Sequence, residues 1–251
     1  MRVAQPTRAA PTPVPLPGNL TYAAAIGGVL EISLVGLADL TFWQDKLRPA
    51  GLFPTVRDGR AECLLSATNA KFHGIRFREL SFSVFVTKHA GGASRDGAYM
   101  AYAFNSLRLF AWIERTLFST PYYHGQLDVT LGDSARVVAH ASGQPVFHAE
   151  LNGLDAASGR EPMQAAMNDW FGPIYLPSLR PGGALGEKLF YAHLVGETKT
   201  YLFDPAHDRF QLTPLASHSA LRDFVDSGFE PREWMLRPSA FHAKSKTVRR
   251  K

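Results

Sequence analysis

Short apolar stretches that alternate with small or polar residues, each bounded by Gly, Pro, Asp or Ser, recur along most of this chain. In "RELSFSVFVTKH" Leu80, Phe82, Val84 and Val86 fall on every second position. A period of two places them on one face of a strand and marks that face as buried. "AYMAYAFN" alternates again after the loop "HAGGASRDG", so these two segments are predicted to pair as an antiparallel hairpin. "LEISLVGLADL", "AECLLSA", "GQLDVTLG", "ARVVAHAS", "PVFHAELNG", "KLFYAHLVGE" and "TKTYLFDPAHDRFQLTPL" read as further strands.

Helices are few. In "NSLRLFAWIERTLF" Leu107, Phe110, Ala111, Glu114, Leu117 and Phe118 follow helical spacing, Ser106 is the expected cap, and Pro121 stops the chain beyond the end. The side bearing Leu107, Phe110 and Leu117 is expected to face inward, with Phe110 and Trp112 in the core. "SHSALRDFVDSG" is a second helix, closed by Gly228. "DKLRPAGLF" holds a short third one, and "EPMQAAMNDWFG" fits either a helix or a loop. Many short antiparallel strands with a few edge helices imply a mainly β (α+β) fold, an antiparallel barrel or double sheet.

The 251 residues, 45% hydrophobic and 20% charged, suit one domain with a sizeable core, placed at residues 21–240. The first 20 residues, rich in alternating proline, read as an extended disordered arm, without the apolar segment of a secretory signal. No apolar run approaches the ~18 residues of a membrane span. "AAAIGGVLEISLVGLADL" is interrupted by Glu31 and Asp39. The single Cys63 excludes an internal disulfide and, within an apolar run, reads as a buried inert thiol; a cytoplasmic location is expected. The net charge of +5 traces to "HAKSKTVRRK", read as a basic tail over 241–251. No recognised motif accompanies that charge, so nucleic acid is not an expected partner. A homo-oligomer is compatible with this composition.

The chain has no phosphate loop, no G-x-G-x-x-G, no H-E-x-x-H and no G-x-S-x-G elbow. His140 and His148 are the nearest approach to a metal pair, and no third ligand stands at a suitable spacing. No cofactor and no metal are expected.

One block carries chemistry. "RTLFSTPYYHGQLDV" gathers two tyrosines, a histidine and a proline where a helix ends and a strand begins. With "GIRFRELSFSVFV" and "DGAYMAYAFNS" before it, the block resembles the acetoacetate decarboxylase-like superfamily, and "PIYLPSLRPGGALGEKLFYAHLVGE" resembles that family's return to its barrel. The resemblance implies a β-barrel around a hydrophobic cavity. It places Glu79 on the cavity glutamate, Arg115 on the helix arginine and Pro121 on the turn proline. Tyr122 and Tyr123 then stand where the family carries two lysines, one of them the imine-forming residue. A phenol forms no imine. Lys71 and Lys88, the nearest lysines, lie at strand ends, so a Schiff-base decarboxylase is disfavoured.

Two roles are open for this block. As a site, Glu79 is the general base, Arg115 holds a carboxylate or enolate, and Tyr123 and His124 assist; Tyr122, Phe118 and Asn105 contact the substrate. As a plain structural turn, Arg115 merely neutralises a buried Glu79. The expected function is a lysine-independent enzyme on a small or polyketide-like carbonyl compound, working by enolisation toward aldol-type cyclisation, dehydration or decarboxylation. The alternative is a non-catalytic binder of a hydrophobic metabolite. A third reading, a partner-binding protein, would use the basic tail.

Overall fold

A computed structural model describes residues 12–155, 159–180, 182–215 and 219–250. In chain order its first half runs β1 (Tyr22–Ala38), α1 (Leu40–Leu47), β2 (Phe53–Pro54), β3 (Val56–Arg57), β4 (Arg60–Phe72), β5 (Ile75–Thr87), β6 (Gly97–Asn105) and α2 (Arg108–Thr116). Next come β7 (Tyr122–His124), β8 (Gln126–Leu131), β9 (Ala135–Ala141) and β10 (Gln144–Leu151). The last third holds β11 (Gln164–Tyr175), β12 (Lys188–Leu202), β13 (Arg209–Leu212), α3 (Ser219–Asp226), β14 (Glu230–Ser245) and β15 (Val248–Arg249). No described helix is long and apolar enough to cross a membrane.

The strands form an 11-stranded mixed sheet and a separate 4-stranded sheet, β13-β10-β9-β8. The predicted hairpin is present: β5 and β6 are antiparallel, with Leu80 opposite Phe104 and Val84 opposite Tyr99. β6 also runs parallel to β7 and to β11, pairings that the antiparallel expectation did not contain. Because β5 bonds to both β4 and β6, the pairing passes round β5, β4, β1, β14, β12, β11 and β6 and returns to β5.

Alternation along these strands sorts side chains onto two faces. On β5, Leu80, Phe82 and Val84 enter the main apolar core, together with Cys63, Leu65 and Ala67 of β4 and Ile32 and Leu34 of β1. The small sheet covers this side with Val129, Val137 and Phe147. Burial of these side chains, each worth roughly 1.5–3 kcal/mol, fixes the register of the strands beneath. The opposite face carries the in-between residues, Glu31, Ser66, Thr68, Glu79, Ser81 and Ser83.

Several elements depart from the sequence pattern. The segment left between helix and loop is β11, bonded to β12 from Gln164–Thr200 to Tyr175–Leu189; this ladder, not burial, holds its exposed first half straight. α2 starts at Arg108 with no side-chain cap, because Ser106 Oγ instead accepts the Arg78 N–H at 2.8 Å. Its inward side carries Phe110, Ile113 and Glu114. Phe110 meets Phe77 at 5.4 Å between ring centroids. The helix ends at Thr116, which leaves Leu117 66% exposed, and Trp112, on the outer side, is 59% exposed rather than in the core. Residues 241–245, read as the start of a tail, are the last turns of the pleat in β14, and β15 follows. At the other end, Val14 N–H donates to His193 Nδ1 at 3.2 Å, tying that part of the proline-rich arm to β12; residues 1–11 lie outside the described residues.

β1 and the start of β14 approach closely at Gly36, where an added Cβ would lie 2.4 Å from the Glu230 carbonyl oxygen and 2.5 Å from the Phe229 ring. Overpacking of this kind destabilises by about 1–3 kcal/mol. Gly36→Ala is therefore expected to lower the urea midpoint by that equivalent, whereas Gly27→Ala, with nothing within 4 Å of its Cβ, should stay within about 0.5 kcal/mol of the parent.

Candidate functional site

The in-between residues enclose a cavity of about 400 Å³. Most of its wall is apolar: Phe85, Met100, Ile174 and Phe190 come from the strands, and Phe110 and Phe118 come from α2 and the turn after it. Five of its polar groups lie in one row. Arg237 of β14 pairs with Glu31 of β1, Glu31 with Thr68 of β4, Thr68 with Glu79 of β5, and Glu79 with Asn105 of β6. Directly paired residues share a face, so register alone brings five strands' polar side chains to one level.

The two glutamates in that row have different fates. Glu31 is 2% exposed. Arg237 Nη1 donates to both its oxygens at 2.8 Å, Ser33 Oγ to Oε1 at 2.9 Å, and His242 Nε2 lies 2.9 Å from Oε2. Burial pushes its pKa up, but Arg237 and His242 overcome this and hold the carboxyl well below the usual range. Glu79 is half-buried and has no guanidinium partner among the described residues. Asn105 Nδ2 donates to Oε1 at 2.9 Å and the Tyr122 hydroxyl to Oε2 at 3.1 Å. Burial first, then the Glu114 carboxylate, push Glu79 up to about 7; Lys244, Tyr122 and Asn105 offset this only in part. The Tyr122 hydroxyl is pushed well above its ordinary value, by burial and then by Glu79, and so stays a donor.

Lys244 of β14 also reaches the cavity. Its ammonium lies 4.7 Å from the Phe190 ring centroid and 5.1 Å from that of Phe118, and it forms an ion pair with Glu114. Thr120 Oγ1 donates to the same Glu114 carboxylate at 2.6 Å.

Of the residues singled out in the sequence, Glu79, Asn105, Phe118 and Tyr122 line this cavity, and Arg115, Tyr123 and His124 do not. Strand alternation separates the two tyrosines: Tyr122, opposite Ala103, points in, and Tyr123, opposite Phe104, points to the other face. There Tyr123 stacks on Tyr102 at 4.6 Å, and the Arg115 guanidinium covers it at 4.1 Å from the ring centroid. The expected Glu79–Arg115 pair is not formed, and Arg115 does not hold Glu79 ionised. His124 is exposed at the end of β7.

Sequence reasoning missed Glu31, Glu114, Arg237, His242 and Lys244. A glutamate inside the apolar run "LEISL" was a signal of a buried, partnered charge. Lys244 and His242 were hidden because they lie within the basic segment read as a tail, far in sequence from Pro121.

No family model and no curated protein sequence matches this chain. Among solved structures it is similar to an acetoacetate decarboxylase, at 13% identity and a TM-score of 0.59 over 90% of this chain and 88% of that one. It is similar to MppR, an enduracididine biosynthesis enzyme complexed with pyruvate, at 12% identity and a TM-score of 0.60 over 91% and 90% of the two chains. The acetoacetate decarboxylase of Legionella pneumophila subsp. pneumophila str. Philadelphia 1 gives 11% identity and a TM-score of 0.58 over 96% and 92%. Identities this low speak for architecture alone, and the architecture of this chain is the acetoacetate decarboxylase-like fold.

Proposed function

We propose that this protein is an enzyme that enolises a small carbonyl compound, with Glu79 taking and returning the proton on the carbon beside the carbonyl. The observation that carries this reading is an enclosed carboxyl at about pKa 7, hydrogen-bonded to Tyr122 and Asn105 inside an otherwise apolar cavity. A group that titrates near neutral pH serves as both acceptor and donor of a proton. The Lys244 ammonium and the Tyr122 hydroxyl supply positive charge and a donor for an oxygen that becomes negative as the carbon loses its proton. MppR, with this fold, is complexed with pyruvate, which supports a small carbonyl compound as the class of substrate. Phe118 and Asn105 act as contacts that seat it.

Lys244 favours a second reading. Its amine shares the cavity with Glu79, so an imine with a ketone becomes available if Glu114 releases it in neutral form. Incubation with acetoacetate or pyruvate followed by borohydride distinguishes the two. Enolisation without an imine leaves the protein mass unchanged, which is the expected result. A mass increase mapped to Lys244, and lost in Lys244→Met, would put imine chemistry first. Saturable binding of the ketone with neither an adduct nor proton exchange in D₂O would leave a binding protein.

Glu79→Gln should abolish exchange of carbon-bound protons with D₂O while retaining the fold and the affinity for the ketone. Full exchange by this variant removes Glu79 from the mechanism.

The same group makes a prediction that needs no substrate. A carboxyl raised from 4.5 to about 7 keeps its proton in the folded state where the unfolded chain has lost it. Its contribution to stability is therefore full below the unfolded pKa and is lost as pH rises through the folded one, a change of about 3 kcal/mol. Glu79→Gln cannot titrate, so between pH 4.5 and 7.5 its stability should gain on the parent by that order, read from urea unfolding. A stability difference independent of pH would refute the raised pKa.

A further inference from the structure

The cavity has a second polar pole that the carbonyl reading leaves without a task. His242 lies on β14 two residues before Lys244, so both face the cavity. Because Glu31 is ionised, its carboxylate accepts, and His242 Nε2 at 2.9 Å must bear the proton of that hydrogen bond. The other ring nitrogen, Nδ1, has no hydrogen bond to a described residue.

Glu31 does not need this imidazole for its own sake. Arg237 already neutralises it through both oxygens, and Ser33 and Ser66 donate to Oε1 at 2.9 and 3.3 Å. Arg237 is itself fixed by its Nε bond to Thr198 Oγ1 at 2.8 Å. The dependence therefore runs from the ion pair to the ring: a rigid, ionised carboxylate fixes the orientation of a histidine at the cavity wall.

Register gives the spacing. Glu31 and Glu79 share one row with only β4 between them. Two strand spacings put their α-carbons about 10 Å apart. An H–C–C=O unit with a hydrogen-bond partner at each end spans about 8 Å. The geometry points to His242 as a second proton-transfer residue of this cavity, giving a proton from Nδ1 to the substrate's carbonyl oxygen while Glu79 takes one from the neighbouring carbon. This assignment rests on the carbonyl reading above. In the step the C–H bond breaks, its proton passes to the Glu79 carboxylate, and its electron pair forms the C=C bond. The C=O π pair moves onto oxygen, which takes the His242 proton. The product is the neutral enol; His242 has lost one proton and Glu79 has gained one. Return of the proton from Glu79 to carbon and from oxygen to His242 completes the exchange.

The test follows the loss of pyruvate methyl protons in D₂O by NMR, with acetone as an uncharged second probe. The step needs Glu79 ionised and His242 protonated, in a field set by Glu31 of β1, Arg237 and Lys244 of β14, Glu114 of α2 and Glu79 of β5. Exchange by the parent should therefore rise as pH passes through about 7, where Glu79 loses its proton. His242→Gln retains an N–H donor for Glu31 and so preserves the local structure, but it carries no transferable proton. It is expected to fold like the parent and to lose exchange by about 100-fold or more. His242→Ala should lose as much and regain part of it with added imidazole. A His242→Gln variant that exchanges at the parent rate while Glu79→Gln is inactive overturns this assignment and leaves the carbonyl reading standing. An inactive His242→Ala that imidazole does not restore, with His242→Gln active, makes the ring structural only and overturns it likewise. If the parent and every variant exchange no faster than buffer, the carbonyl reading fails and the assignment falls with it.

Discussion

An ionised carboxylate sealed inside protein is tolerable only when its charge is met on all sides, and Glu31 meets that condition at the cavity wall. Leaving either member of such a buried pair alone generally costs about 3–5 kcal/mol. Glu31 lies at the join of β1 and β14, and its partner Arg237 stands directly opposite it. The pair therefore selects one register for the two long strands that carry much of the cavity wall. His242, Lys244 and Met235 reach the cavity from β14 in consequence of that register. The apolar cores on the outer face supply most of the stability; the ion pair makes a slipped alignment of these two strands untenable.

A row of polar residues across five strands shows how neighbours, not residue type, decide chemistry. Glu31 and Glu79 occupy the same row and both line the cavity. One has a guanidinium and stays charged; the other has an amide, a phenol and a nearby carboxylate, and titrates near neutrality. Two carboxyls driven apart in this way divide the tasks of a fixed charge and a movable proton. The fold contributes the water-poor space in which both effects are large.

The Lys244 ammonium of this cavity stands far in sequence from the turn after Pro121. The turn after Pro121 offers two phenols, of which only Tyr122 enters the cavity. The ammonium in the cavity comes from β14, on the far side of the strand ring in sequence, and is paired with a helix carboxylate of α2. Arg115, placed by resemblance at the site, serves to clamp Tyr123 on Tyr102 instead. One residue of strand alternation separates a cavity wall from a core contact, which is why, of the residues aligned by resemblance, Glu79 and Tyr122 line the cavity and Tyr123 and Arg115 do not.

What the sequence by itself determined was local. The period of two in "RELSFSVFV" and "AYMAYAFN" specified two strands and which residues enter the core, because alternation is a property of the pleat and needs no partner. Glycine and proline punctuation marked the turns, and an apolar run containing Glu31 announced a charge that had to be partnered. Tertiary structure decided everything that depends on which strand lies beside which. The serines, threonine and glutamate between the apolar positions of β4 and β5 look solvent-facing to a sequence, and they line a cavity only because the sheet returns on itself and α2 lies across it. The strand character of β11 came from its ladder with β12, since its exposed side chains carry no alternation to read. Lys244 and His242 acquired their place from the pairing of β14 with β1, more than 200 residues away along the chain. Long-range register has no local signature, so the site could be gathered only by the fold.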